Sequence, residues 1–382
     1  MGLSERTARV VLSRVGEPGQ VSLTGMVARD GAVAVVRRLR EAGVGSLGED
    51  LAARMAQVDP EVELARADQR GIRFVIPGDD EWPPGLDDLR HASVLHERGG
   101  PPVGLWVTGS ANLREVTEDS VAVVGSRSCT PYGESIASSL GADLGRHGHP
   151  TVSGAAIGID VAAHRGSLAV QAPTVAVLAS GVDRAYPASH RQVLRFIAER
   201  GAVVSETPPG GAPMRVRFLA RNRLIAALSQ GTVVVEAALR SGALNTAHWA
   251  AGLGRPLMGV PGPVWSEPSA GVHEMIRRRN ASVVSNADEV RELIAPVGQA
   301  VLRFNRAPTN PLDVLDTEAR QLLDAVPVSQ AADPTSIART AGLSVTKVRA
   351  VLPELHDLGL VRCEDGRWRL APQTPGSQTH SA

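Results

Sequence analysis

Val121-Ala-Val-Val-Gly-Ser-Arg127 is a run of four apolar strand-formers that stops on Gly-Ser-Arg. A second short run, Thr151-Val-Ser-Gly-Ala-Ala-Ile-Gly-Ile-Asp160, delivers another glycine-containing loop. Thr174-Val-Ala-Val-Leu-Ala179, Ala202-Val-Val-Ser205, Thr232-Val-Val-Val-Glu236 and Pro256-Leu-Met-Gly-Val260 repeat the pattern. Segments rich in Ala, Leu and Arg, each long enough for a helix, separate them. Strands apolar on both faces and alternating with helices predict an α/β fold, a doubly wound and mostly parallel sheet covered on each side. Such a sheet binds its ligand beyond the carboxyl ends of its strands. Gly125, Ser126, Arg127, Ser153, Gly154, Gly181 and Glu236 fall at those ends, and the function is expected there.

The chain has 382 residues, 43% of them hydrophobic, ample for a sizeable core and for two or three domains. Its two cysteines, Cys129 and Cys363, form no spacing framework for a disulfide scaffold or a cysteine metal site, which fits a reducing cytoplasm. No run approaches the ~18 apolar residues of a membrane span, and the N-terminus carries no signal-peptide pattern. Forty basic and forty acidic side chains cancel. Residues 1–109 hold 13 basic and 16 acidic, residues 110–300 hold 18 and 15, and residues 301–382 hold 9 of each. An anionic partner is therefore expected at the middle of the chain. Lys347 is the only lysine, so a Gly-Lys-Ser/Thr phosphate loop is excluded.

Residues 1–65 read as a small helical domain, with Thr7–Arg14 and Ala32–Arg40 apolar at three- and four-residue spacing and turns at Gly16–Gly19 and Gly43–Gly48. Helix-hairpin-helix modules that touch DNA look similar, but the acidic balance favours a packing role. Residues 66–305 form the central domain, including strands at Arg73–Ile76 and Val103–Val107, the latter with Trp106 on its buried face, that extend the central sheet. Helices are expected at Pro131–Arg146, Asp160–Val170, Ser189–Arg200, Phe218–Leu228, Ala243–Leu253 and Gly271–Asn280. Ala307–Pro311 reads as a linker. Asp316–Ala325, Thr335–Ala341 and Ser344–Leu358 followed by a hairpin, Leu360–Cys363 and Arg367–Leu370, give a winged-helix pattern over 311–371. The tail 372–382 has a disordered composition. From Pro311 to Pro372 there are 7 basic and 9 acidic residues, a poor match for duplex DNA.

Gly125-Ser-Arg127 leaves its strand with no large Cβ at the turn, so backbone N–H groups can face an anion and Arg127 can fork onto a phosphate. Ser153-Gly154 and Gly158-Ile-Asp160 supply a second loop that opens a helix, whose N-terminus favours negative charge. The bland alternative is a pair of turn glycines with no ligand. The spacing is not Gly-x-Gly-x-x-Gly, so no dinucleotide cofactor is indicated. Phe218-Leu-Ala-Arg-Asn-Arg223, with Arg215 and Arg217, sets four arginines beside a ring and the Asn222 amide: groups that meet phosphates and stack on a base. A solvated basic helix start over a core Phe218 is the alternative. Asp160 and His164, one helical turn apart, and the strand-end Glu206 and Glu236 could serve as acid and base. Helix caps and pocket supports are the commoner role for such residues, and they lack a clear partner set for a metal. Arg277-Arg-Arg279 reads as solvated surface.

Together these residues closely resemble the DNA-processing protein A family (DprA, also called Smf). The matching run continues through Tyr132-Gly133, Ala163-His164, Gly181-Val-Asp183, Tyr186-Pro187, Ser205-Glu206, Glu236-Ala237, Ser241–Leu244, Thr246-Ala247, Gly254-Arg255 and Pro261-Gly262. Ala179, Asn245, His273 and Asn280 depart from the family pattern. The resemblance implies an extended Rossmann-like central domain and a non-enzymatic protein. It would bind single-stranded DNA, protect it, and load RecA recombinase onto it during natural transformation. It further implies a homodimer built through the central domain, with no cofactor. Gly125, Ser126, Arg127, Ser153, Gly154, Phe218, Arg221, Asn222 and Arg223 fall on the positions it implies for phosphate and base. Asp160, His164, Glu206 and Glu236 fall on supporting ones. Two rivals remain: a nucleotide phosphoribohydrolase of the lysine-decarboxylase-like group, whose Pro-Gly-Gly loop has a counterpart in Pro208-Pro-Gly-Gly211 but not after the strand where that chemistry needs it, and a transcriptional regulator acting through the winged helix.

Overall fold

The computed structural model describes residues 3–41, 54–278, 280–296 and 315–371. The Gly43–Gly48 turn, Arg279, the 307–311 linker and the 372–382 tail lie outside them. Contacts divide the chain into two compact units, Met1–Leu302 and Arg303–Ala382.

The larger unit is built on nine strands: β1 Ile72–Val75, β2 Leu105–Thr108, β3 Val121–Val124, β4 Thr151–Ser153, β5 Thr174–Leu178, β6 Ala202–Ser205, β7 Gly231–Val234, β8 Leu257–Gly259 and β9 Ser282–Val283. Their order is β1-β2-β6-β5-β4-β3-β7-β8-β9. β3 to β9 run parallel, while β2 lies antiparallel to both β6 and β1. β3 shows why the sheet is covered on both sides. All four of its residues are buried, Ala122 and Val124 joining the apolar cluster on one face and Val121 and Val123 that on the other. Period-two alternation with no polar side chain leaves no face for water.

Helices Pro131–Arg146, Ile159–Ala169, Arg191–Arg200, Arg215–Ala227, Ala243–Gly252 and Ala270–Arg277 connect the parallel strands. The chain moves from β3 outward through β4, β5 and β6, then returns to place β7 on the other side of β3. The order therefore reverses between β3 and β7, and the crevice of such a sheet opens at that switch point. At the far edge β1 and β2 carry Phe74 against the fully buried Trp106, ring centroids 4.5 Å apart. Helices Glu5–Val15, Val21–Asp30, Ala32–Glu41 and Pro60–Asp68 precede β1. Val10 from the first of them shares an apolar cluster with Ile72, Phe74 and Trp106, so the helical segment packs onto this edge. The Val21–Asp30 helix was not evident from sequence: it begins at Gln20, which makes no side-chain cap.

The smaller unit holds helices Thr317–Ala325, Pro334–Ala341 and Val345–Asp357, then the hairpin β10 Val361–Glu364 and β11 Arg367–Leu370. Leu322, Ile337, Val348, Leu352, Leu355 and Val361 form its core. Each helix begins on a side-chain cap, Asp316, Asp333 or Ser344, as the sequence pattern requires.

Candidate nucleic-acid interface

A cavity of about 850 Å³ opens at the switch point. The loop after β3 contributes Gly125, Ser126 and Arg127, the loop and helix after β4 contribute Ala156 and Asp160, and Tyr186 comes from beyond β5. The Arg215–Ala227 helix lends Arg215, Phe218, Arg221 and Asn222, and the loop after β7 lends Arg240, Ser241 and Gly242. Four guanidinium groups (Arg127, Arg215, Arg221, Arg240) thus face two carboxylates, Asp160 and Glu267. The short helix-opening loops add N-terminal dipoles of the same sign.

Glu236, 1% exposed at the end of β7, holds the two sides of the switch point together. Its carboxylate accepts from Thr130 N at 2.8 Å and from Thr130 Oγ1 at 2.6 Å. Thr130 in turn accepts from Gly133 N, capping the Pro131–Arg146 helix. Glu236 is therefore a support, each of its carboxylate oxygens held by one bond from Thr130.

Arg221 forms the back of the cavity. Its Nη1 donates to Gly154 O at 2.6 Å and to Val177 O at 2.8 Å, so the guanidinium spans the ends of β4 and β5. Burial pulls its pKa down to about 10, against the opposing pull of Asp160, so it stays charged at neutral pH. Asp160 is buried too, and desolvation pushes its carboxyl pKa up while Arg221 draws it back. Gly154 is obligatory here, since a Cβ would sit 1.9 Å from Arg221 Nη1.

Phe218 lies amid cations. Arg127 Cζ is 4.8 Å from the ring centroid and Arg221 Cζ 5.8 Å, within reach of a cation–π attraction. The Tyr186 ring packs 5.8 Å away, tilted by 56°. Phe218 therefore holds two guanidiniums in place, and the exposed ring at the rim is Tyr186. Asn222 is fixed through Nδ2, which donates to Asn245 Oδ1 at 3.1 Å and Gly242 O at 3.3 Å.

Four of the expected site residues are placed elsewhere. Arg223 is fully buried and pairs with Glu206 at 2.8 Å. It also donates to Gly100 O and Ala220 O, so it cannot reach a phosphate. Glu206 consequently supports Arg223 rather than the cavity wall. Ser153 is buried with its hydroxyl donating to Val123 O. His164 sits in the core against Thr174 Oγ1 at 2.7 Å. Burial, then Arg221 and His190, push its pKa down to about 3, so it is neutral and buried away from any acid–base role. Arg277 and Arg278 pair with Glu274. Sequence reasoning did not single out Arg240 or Tyr186 as wall residues. Both lie in the stretches that follow strand ends, Tyr186 after β5 and Arg240 after β7, on the side where a doubly wound fold opens its crevice.

The Pro208–Gly211 loop follows β6 but is tied down away from the cavity: Gly210 N donates to Asp183 Oδ1 and Arg14 Nη1 to Pro209 O. Among the described residues no group of three or more His, Cys, Asp or Glu could hold a metal ion. Among the same residues no helix is long and apolar enough to cross a membrane.

The fold and site define a doubly wound α/β protein with an arginine-walled cavity at its switch point. The family model of DNA recombination-mediator protein A matches residues 73–295. A Mycobacterium tuberculosis protein carried under the DprA name is 43% identical over 362 residues, 94% of this chain and 92% of that protein. The DNA processing protein DprA of Streptococcus pneumoniae is 35% identical over 243 residues, 63% of this chain and 80% of its own length. The X-ray structure of the same Streptococcus pneumoniae protein superposes with a TM-score of 0.62 at 28% identity, covering 76% of this chain and 98% of that one. The chain belongs to the DNA-processing protein A (DprA/Smf) family.

Proposed function

We propose that this chain binds single-stranded DNA in the switch-point cavity without turning it over chemically, protects it, and loads RecA recombinase onto it in natural transformation. It acts as a homodimer through the larger unit, and the smaller unit is a winged helix that is not the main DNA site. The observation that carries the DNA reading is the wall composition: four arginines from three separate loops and helices converge beside two aromatic rings. Guanidiniums suit phosphate oxygens, and a ring at the rim suits an unpaired base. An enzyme would need an acid or base free to act. Of the groups the sequence offered for that role, His164 is locked in the core, Glu236 and Glu206 are bonded and Asp160 is matched to Arg221, which leaves Glu267 as the one further carboxylate among the described residues of the wall. Family membership supports the same reading.

The test is a titration of a labelled single strand, with a duplex of equal length as control, over a range of salt. Arg127→Ala and Arg240→Ala should each weaken single-strand binding and flatten the log-affinity against log-salt slope by about 0.7, the value per phosphate contact. If both variants bind like the parent at every salt concentration, the DNA path lies elsewhere. Loading is read separately, as RecA filament growth on strands coated with single-strand-binding protein, which should start sooner with this protein than without it.

A further inference from the structure

The Arg215–Ala227 helix has two faces with separate duties. At about 100° per residue, Arg215, Phe218, Asn222 and Ile225 share the side that lines the cavity, with Arg221 at its margin. Arg217, Ala220 and Arg223 take the opposite side. There the helix meets the turn between the first two helices of the chain. Glu17 accepts twice from Arg217, at 2.9 Å from Nε and 2.8 Å from Nη2. Gly19 N donates to Glu206 Oε1 at 3.3 Å, on the carboxylate that pairs with Arg223. Gly19 O accepts from Gly99 N, next to the Gly100 carbonyl that receives Arg223 Nε. Gly19 has φ +65°, and a Cβ would lie 3.1 Å from Arg223 Cζ, so only glycine fits this turn without displacing the guanidinium.

The helix also needs external support at its start. Its N-cap is Met214, with no side-chain cap bond, and its first turn has no acidic residue. Arg217, a donor itself, caps none of the helix's first N–H groups; it anchors the helix start instead, tying it to Ala212 O and to the Glu17 carboxylate. Phe218 and Arg221, which follow within one turn, are the residues that hold the cavity's cations.

We propose that the Gly16–Gln20 turn is a positioning element for nucleic-acid binding, with Glu17 as its key residue. By clamping Arg217 it fixes the uncapped start of the helix whose other face builds the cavity. No residue of the turn lines the cavity. The proposal rests on the single-strand reading above but makes a separate, opposite-signed claim. Removing an anion near a DNA site should, by charge alone, strengthen binding. Loss of a positioning contact should weaken it.

The experiment uses the full chain with Glu17→Gln, Arg217→Gln and the swap Glu17→Arg/Arg217→Glu. A labelled single strand is the probe, and hydrogen exchange is followed over residues 214–222. Glu17→Gln should raise the Kd about fivefold, the scale of one half-buried charge pair, and speed exchange in that peptide, while the salt slope stays that of the parent. The swap should recover most of the affinity and the protection. Tighter or unchanged binding by Glu17→Gln with unaltered exchange overturns the proposal. Failure of the cavity reading looks different: Arg127→Ala binds like the parent, and the exchange data then judge the clamp alone.

Discussion

Replacing Arg223 with Met separates a buried structural arginine from a DNA contact. The Arg223 side chain is 0% exposed and its partner Glu206 6%, joined at 2.8 Å. Removing the guanidinium leaves Glu206 with only the Gly19 N–H in a dry site. An orphaned buried charge of this kind costs about 3–5 kcal/mol. The larger unit spans 302 residues. At about 2.1 cal/mol/K per residue its unfolding entropy is roughly 0.6 kcal/mol/K, so melting should fall by about 5–8 °C. Glu206→Leu added to Arg223→Met removes the stranded charge and should restore most of that loss. Differential scanning calorimetry of the transition of the larger unit measures both. In the fraction still folded, single-strand affinity should lie within about twofold of the parent, with an unchanged salt slope. If Arg223→Met melted with the parent yet flattened the salt slope, Arg223 would be a phosphate contact and the buried-pair argument would be wrong.

Two further outcomes follow from the cavity wall and the core beneath it. Gly154→Ala puts a methyl 1.9 Å from an Arg221 nitrogen that two carbonyls already hold. The variant should lose about 1–3 kcal/mol of stability and weaken single-strand binding; normal affinity in a folded variant would show that the placement of Arg221 is not needed. His164 has a folded pKa near 3 against an ordinary 6.5. Its unfolded form therefore takes up a proton that the folded form refuses, and stability is full above pH 6.5 and falls from there toward pH 3, by about 1.4 kcal/mol per pH unit. At pH 5 that is roughly 2 kcal/mol, and His164→Gln should flatten the denaturation midpoint against pH over this window; an unaltered slope would place the titration elsewhere.

The fold was legible because its strands are short apolar runs with nothing polar to spare. Val121–Val124 cannot face water on either side, and that alone requires two covering layers. The order reversal at β3 and β7, which sets the Gly125-Ser-Arg127 loop beside the Glu236 end of another strand, has no signature in the sequence. Caps alone do not decide which helices are legible: Pro60–Asp68 starts on a bonded Asp59 without being among the expected helices, while Ala243–Gly252 starts where expected with no side-chain cap. The Arg215–Ala227 helix begins three residues before the expected Phe218, since neither Met214 nor its neighbours carries a capping side chain. The Val21–Asp30 helix, also without a side-chain cap, has no counterpart among the expected helices. Ser344, Asp333 and Asp316 mark their helices plainly, and those were placed to within a residue.

The cluster of arginines was legible in the sequence, but which of them face the cavity and which are paired with carboxylates away from it was not. Arg215, Arg217, Arg221 and Arg223 look equivalent along the chain. Their fates are set by carboxylates far away: Glu17, 200 residues upstream, claims Arg217, and Glu206, 17 residues upstream, claims Arg223. Neither pairing has a local signature, because it depends on which segment the fold lays against the back of the helix. What remains for an anion is Arg215 and Arg221 from this helix, joined by Arg127 and Arg240 from two loops. Counterion release scales with the contacts that face the strand. A salt slope reckoned from the arginine-rich motif alone would count four charges where two are spent inside the protein, and would miss two that arrive from β3 and β7.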